Sequence, residues 1–145
     1  MAVTIKIPKS SDEKVNILMG HMGIEERPIV LRIALSKGIF QFEGSLPEVN
    51  DNSTGREIPI STLCPGNNYL IIKHCLIQKL GKKIDSDAEI HKLIRKALVY
   101  GIDLMIIELS NLDKLDNYLV YLVENLGKKT MVIESQQRIQ ELLGY

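Results

Sequence analysis

Residues 1–38 read MAVTIKIPKSSDEKVNILMGHMGIEERPIVLRIALSKG, and the fold turns on how this stretch is parsed. Val3, Ile5 and Ile7 alternate with Thr4 and Lys6, the period-two pattern of a strand with one buried face. Ser10, Ser11 and Asp12 are N-cap candidates, and Val15, Leu18, Met19 and Met22 then recur at helical spacing. This predicts a helix over 11–22, ended by Gly23. Pro28 suits a first helical turn, and Ile29, Ile33 and Leu35 carry a second helix over 27–37, stopping at Lys37 and Gly38.

So short a strand cannot stand alone, because its backbone donors and acceptors need partners. No comparable strand follows soon enough to close a hairpin, so the expected partner is another copy of the chain. A strand, two helices and an intermolecular two-stranded ribbon make the ribbon-helix-helix plan, which meets DNA through the ribbon or the helix N-termini beside it. The expected fold class is mainly α, in a single domain over 1–145. It comprises a ribbon-helix-helix-like part over 1–40, a loop over 41–66 and a helical part over 67–145.

The loop assignment rests on Gly44, Pro47, Asn50, Asp51, Asn52, Ser53, Gly55, Pro59, Pro65 and Gly66. It should be exposed, with at most a short extended piece around Glu57–Ile60. Its length suits a partner-contacting or DNA-contacting segment as well as a simple crossing. Asn67 or Asn68 caps a helix running to Leu80, where Gly81 ends it. Residues 85–87 cap the next. There Ile90, Leu93, Ile94, Ala97 and Leu98 form one apolar stripe, with His91, Lys92, Arg95 and Lys96 opposite and Gly101 as the stop. Residues 103–126 are expected to be helical with an interruption at Ser110 and Asn111, although Leu104–Ile107 also suits a strand. A last helix is expected over 132–143.

With 145 residues and 45% hydrophobic content, the chain is large enough for one core. No apolar run approaches the roughly 18 residues of a membrane span, and no secretory signal is visible, so a cytoplasmic protein is expected. Cys64 and Cys75 lack a CxxC spacing or a histidine cluster and are expected to be buried, reduced thiols. The 18 basic and 18 acidic residues cancel, but unevenly. Residues 1–38 carry six basic and four acidic groups, and 73–96 carry seven against three. Residues 39–72 carry one against four, and 97–145 four against seven. Folding that joins the first and third segments would create a DNA-binding face, and otherwise these charges solvate helix surfaces.

Catalytic patterns are missing. His21, His74 and His91 stand outside any HExxH arrangement, and neither a Walker loop, nor GxGxxG after a strand, nor GxSxG occurs. The histidines are expected to be structural or surface groups, and Asp85 and Asp87 helix caps. A non-enzyme without cofactor or metal is the expectation.

The segments Gly23-Ile24, Arg32-Ile33-Ala34-Leu35-Ser36, then Gly55, Glu57, Thr62 and Leu63, and the helices ending at Gly101, resemble the DndE family of bacterial DNA sulfur-modification (phosphorothioation) systems. The resemblance covers about residues 3–105 and lies in the order and spacing of short motifs. This chain has Pro59 and Ile60 where the family usually has asparagine and arginine, Gly66 stands later than the family's glycine, and about forty residues follow the matched region. The resemblance implies a ribbon-helix-helix-like homo-oligomer that binds duplex DNA, with some preference for nicked DNA. It also implies work beside other subunits of the system, a sulfur-transfer enzyme and an ATPase, that carry the chemistry.

Contacts to phosphates should then dominate, with affinity falling steeply with salt. The candidate DNA-binding residues are Lys6, Lys9, Arg27, Arg32, Lys82, Lys83, Lys92, Arg95 and Lys96. Arg32 matches the family's helix-2 arginine, but its apolar neighbours suit equally an anchor for a carboxylate inside the subunit or at an interface. Base stacking is not expected, since Phe40 and Phe42 are the only phenylalanines and tryptophan is absent. The alternative is a ribbon-helix-helix transcriptional regulator whose Thr4 and Lys6 read bases in the major groove.

Overall fold

The computed structural model describes residues 3–51, 53–111 and Leu122. In chain order these form β1 (Thr4–Lys6), α1 (Lys9–Met22), α2 (Arg27–Gln41), β2 (Glu57–Pro59), α3 (Ile60–Leu63), α4 (Asn68–Leu80) and α5 (Asp87–Ser110). The mainly helical class and the strand-helix-helix start are as expected.

Ala34 and Gly38 lie one turn apart on α2, as do Ala97 and Gly101 on α5, and there the two backbones touch. A Cβ placed on Gly38 would stand 2.0 Å from the carbonyl oxygen of Ala97, and one on Gly101 would stand 1.7 Å from that of Ala34. Around this crossing Val30, Leu31, Leu35, Ile94, Leu98, Ile102 and Met105 are all at most 1% exposed. Full burial of such side chains is worth about 1.5–3 kcal/mol each, whereas an exposed ion pair contributes roughly 0–1 kcal/mol. Packing of α2 on α5 therefore holds the fold. The pair Lys37–Glu108, 2.6 Å apart and largely shielded, ties the same two helices.

Both glycines were expected to end helices, and neither does. Gly23 and Gly81 do stop theirs, with φ of 68° and 66°. At Gly38 and Gly101 the chain stays helical, because the space a side chain would take is filled by the opposite backbone. That contact outweighs the roughly 1 kcal/mol that glycine costs a helix interior. Hence α2 runs on to Gln41 and α5 to Ser110, which makes Leu104–Ile107 helical and not a strand.

The partner of β1 is also corrected. It pairs antiparallel with β2 of its own chain, in the register Thr4↔Pro59, Ile5↔Ile58, Lys6↔Glu57. Ile7 N–H donates to the Arg56 carbonyl at 3.1 Å and Ile60 N–H to that of Val3 at 2.9 Å, so residues 56, 58 and 60 face β1. Glu57 and Pro59 then face outward, where Pro59 has no N–H to offer a further strand. On the far side of β1 the Lys6 carbonyl accepts a hydrogen bond from Arg95 Nε at 2.7 Å. An intermolecular ribbon thus meets an occupied edge at Lys6 and a blunted one at Pro59. Ile5 and Ile7 are buried as expected, but Val3 is 50% exposed.

Residues 41–66 are less exposed than their composition suggests, since Phe42, Leu46, Ile58, Leu63 and Cys64 join the core. The extended piece near 57–60 is β2. Gly55 approaches β1 so closely that a Cβ there would meet the Ile7 carbonyl oxygen at 2.7 Å. Of the expected caps, Ser86 serves α5 by accepting from Glu89 N–H at 3.1 Å. Ser10, Ser11, Asp12, Asn67 and Asn68 make no side-chain cap. Pro8 holds the cap position of α1, and the loop supplies the missing acceptor: Ser53 Oγ takes the Lys9 N–H at 3.1 Å. Asp51 braces this corner, accepting from Ser10 Oγ at 2.7 Å and from Ser53 N–H at 2.8 Å, which holds its carboxyl far below the usual carboxylate range. Of the helices expected over 103–126 and 132–143, the parts beyond Asn111, Leu122 excepted, lie outside the described residues.

Gly38→Ala should lower stability by about 3 kcal/mol, because the clash with a backbone oxygen cannot be relieved by rotating a side chain. Gly20→Ala, in α1 with nothing within 4 Å of the new Cβ, should raise it by up to about 1 kcal/mol. Urea unfolding of the two variants beside the parent checks both signs.

Candidate functional site

The Arg95 bond to Lys6 joins the first basic segment to the third. Ile90, Ile94 and Ala97 of α5 are buried, so Lys92 and Arg95, on the helix face away from that stripe, border β1. Thr4 and Lys6 are exposed on β1 while Ile5 is buried. Ser53 and Thr54 arrive from the loop, held by the brace on α1. The result is an open groove of about 390 Å³ lined by Lys6, Lys92, Arg95, His91 and the hydroxyls of Thr4, Ser53 and Thr54. No carboxylate lines it. Lys6 is paired only loosely with Glu57 at 3.4 Å, both being more than half exposed. Lys92 is exposed and has no ion pair among the described residues.

The other candidate cations go elsewhere. Arg27 is committed to Asp12 at 2.8 Å and to Asn16. Arg32 anchors no carboxylate among the described residues: its Nε and Nη2 both donate to the Thr62 carbonyl, at 2.9 and 2.7 Å. This bond fastens α2 to α3 and joins two of the motifs that carry the family resemblance. Lys96 pairs with Glu48 at 2.8 Å. Lys82 and Lys83 sit in exposed pairs with Glu89 and Asp85 at 3.5 and 3.6 Å and do not line the groove. The Lys9 backbone binds Ser53, and its side chain is exposed. Lys79, which was not a candidate, donates to the carbonyls of Ile39, Phe40 and Phe42 at 2.6–2.8 Å and closes the end of α2.

His91 also borders a second cavity of about 460 Å³, which contains Tyr69, Asp87, Ser61 and Cys64. The Tyr69 hydroxyl donates to Asp87 at 3.0 Å and lies 3.5 Å from His91 Nε2. Asp87 and His91 stand four residues apart on α5, a spacing that puts them on one helix face. Tyr69, from α4, has no sequence signal linking it to them. Burial, aided by Asp87, pushes the Tyr69 hydroxyl up to about 12. Burial likewise pushes the Cys64 thiol up to about 11, with Arg32 opposing, which makes it a poor nucleophile. No group of His, Cys, Asp and Glu fit to hold a metal occurs among the described residues.

No protein family, curated protein or solved structure matches this chain.

The expectation of two buried thiols holds for Cys64, but Cys75 is exposed on α4. A thiol-reactive dye at neutral pH should label one cysteine per chain quickly and the second only on unfolding. Cys75→Ser should abolish the fast phase, and Cys64→Ser should leave it intact.

Proposed function

We propose that this chain is a non-catalytic DNA-binding subunit of a bacterial DNA phosphorothioation system, gripping duplex or nicked DNA by its backbone phosphates. The observation that carries this reading is the groove where Lys6, Lys92 and Arg95 meet three hydroxyls and no carboxylate. Phosphate oxygens accept hydrogen bonds and carry negative charge, and this lining offers donors and positive charge together. The sequence resemblance to the DndE family supplies the biological setting, including the cytoplasm and the partner subunits that would carry the chemistry. With no helix among the described residues long and apolar enough to cross a membrane, nothing in them competes with that setting.

The DNA-binding set contracts accordingly to Lys6, Lys92 and Arg95, with Lys9 nearby in sequence. Arg95 has one nitrogen on the Lys6 carbonyl and the rest of its guanidinium for phosphate. A homo-oligomer through β1 meets the occupied strand edge, so subunit contacts are reassigned to the exposed apolar side chains Phe40, Leu70 and Ile71. The alternative, a base-reading ribbon, needs a second strand beside β1 where Arg95 already bonds.

Binding to intact and nicked duplexes of unrelated sequence, followed by fluorescence anisotropy across a salt series, tests the reading. Affinity should vary little with sequence and fall steeply with salt. Lys92→Ala should weaken binding uniformly and reduce the slope of log K against log salt by about one, while Lys82→Ala with Lys83→Ala should change it little. Absence of binding at low salt refutes the proposal.

A further inference from the structure

The basic groove and the Tyr69 cavity share His91, and their linings differ in a way that suits the two halves of one ligand. On one side stand Lys6, Lys92 and Arg95 without a carboxylate. On the other, the apolar side chains of Val3 and Ile60 and the ring of Tyr69 surround polar atoms of Asp87 and Ser61. Volumes of about 390 and 460 Å³ fall within the range of roughly 300–1,000 Å³ usual for small-molecule sites.

We propose that these two cavities together bind a single nucleotide unit, its phosphate in the basic groove and its base against Tyr69 and His91. This rests on the groove being a phosphate site, and it adds the nucleoside half. The ligand's direction follows from charge. Asp87 repels phosphate from the second cavity, while its oxygens and the Tyr69 hydroxyl can accept or donate to a base edge or a sugar hydroxyl. The rings of Tyr69 and His91, with centroids 5.9 Å apart and planes inclined at 55°, present two π-faces from α4 and α5. Base stacking, which the paucity of phenylalanine and the absence of tryptophan argued against, is thus offered by a tyrosine. A free nucleotide and the unpaired end of a strand present the same phosphate and base, and both are sources of such a unit.

Titration of the full chain with dAMP, deoxyadenosine and inorganic phosphate, followed by NMR and calorimetry, tests the proposal. dAMP should bind about tenfold tighter than phosphate, the increment expected from one stacked base. It should shift the ring resonances of Tyr69, which lines only the second cavity and which phosphate alone should leave in place. Tyr69→Leu should remove the tenfold increment without changing phosphate affinity, Tyr69→Phe should keep it, and Lys92→Gln should weaken both ligands. A duplex with one unpaired 5′-phosphorylated nucleotide, compared with its blunt counterpart, separates the two sources. Preference for the overhang with no dAMP increment assigns the site to a strand end, and a dAMP increment without that preference assigns it to free nucleotides. Absence of both the dAMP increment and the overhang preference overturns the proposal, and that outcome needs no variant to fold. If blunt duplexes still bind in a Lys92-dependent manner, the DNA-backbone reading survives that failure. If dAMP binds and duplexes do not, the nucleotide site survives and the DNA reading falls.

Discussion

The contact between the backbones of α2 and α5 is the constraint on which everything else in this molecule depends. Ala34 with Gly38, and Ala97 with Gly101, let two long helices approach until carbonyl oxygens occupy the places of missing side chains. At that separation the flanking isoleucines, leucines and Met105 are buried against the crossing, in the close packing usual of protein interiors. Widening the gap by one methyl group would loosen dispersion contacts along the whole crossing. The position of α5 then decides where its N-terminal half lies, and so where Arg95 and Lys92 meet the opening strand.

Among the described residues, several cations are engaged within the chain. Arg27, Lys37 and Lys96 each hold a carboxylate, Arg32 holds the Thr62 carbonyl and Lys79 a set of carbonyls, tying one part of the chain to another. Lys92, by contrast, is exposed and has no ion pair among the described residues. The proposed phosphate site lies where a strand, a loop and a helix converge, and no acidic residue lines it. The loop matters there because Ser53 both caps α1 and lines the groove, so the same hydroxyl-bearing corner serves folding and the site.

Much of the fold was legible along the chain. Alternation at Ile5 and Ile7, the helical spacing of Val15, Leu18 and Met22, and the stripe from Ile90 to Leu98 are local periodicities set by backbone geometry, and they predict their elements well. The errors share one origin. Gly38 and Gly101 carry the mark of a helix stop, and only the helix packed against each reveals another use. β2 is three residues long with a proline at its end, too weak a signal to be recognised as the partner of a strand some fifty positions earlier. Tyr69 escaped notice because its link to Asp87 and His91 is made through space.

The candidate site divides in the same way. Lys92, Arg95 and the alternation that exposes Lys6 could be read from the sequence, as could the want of a catalytic motif. Which cations are free could not, because pairing depends on which acidic group or carbonyl the fold brings within a few ångströms. Sequence by itself therefore determined the elements, the apolar faces and the supply of charge, all of which follow from neighbours along the chain. Tertiary structure alone decided that two glycines join helices, that the opening strand pairs at home, and that three cations of nine share a groove. Those outcomes rest on contacts between residues far apart in sequence, where steric fit and electrostatic pairing are settled only once the helices have packed.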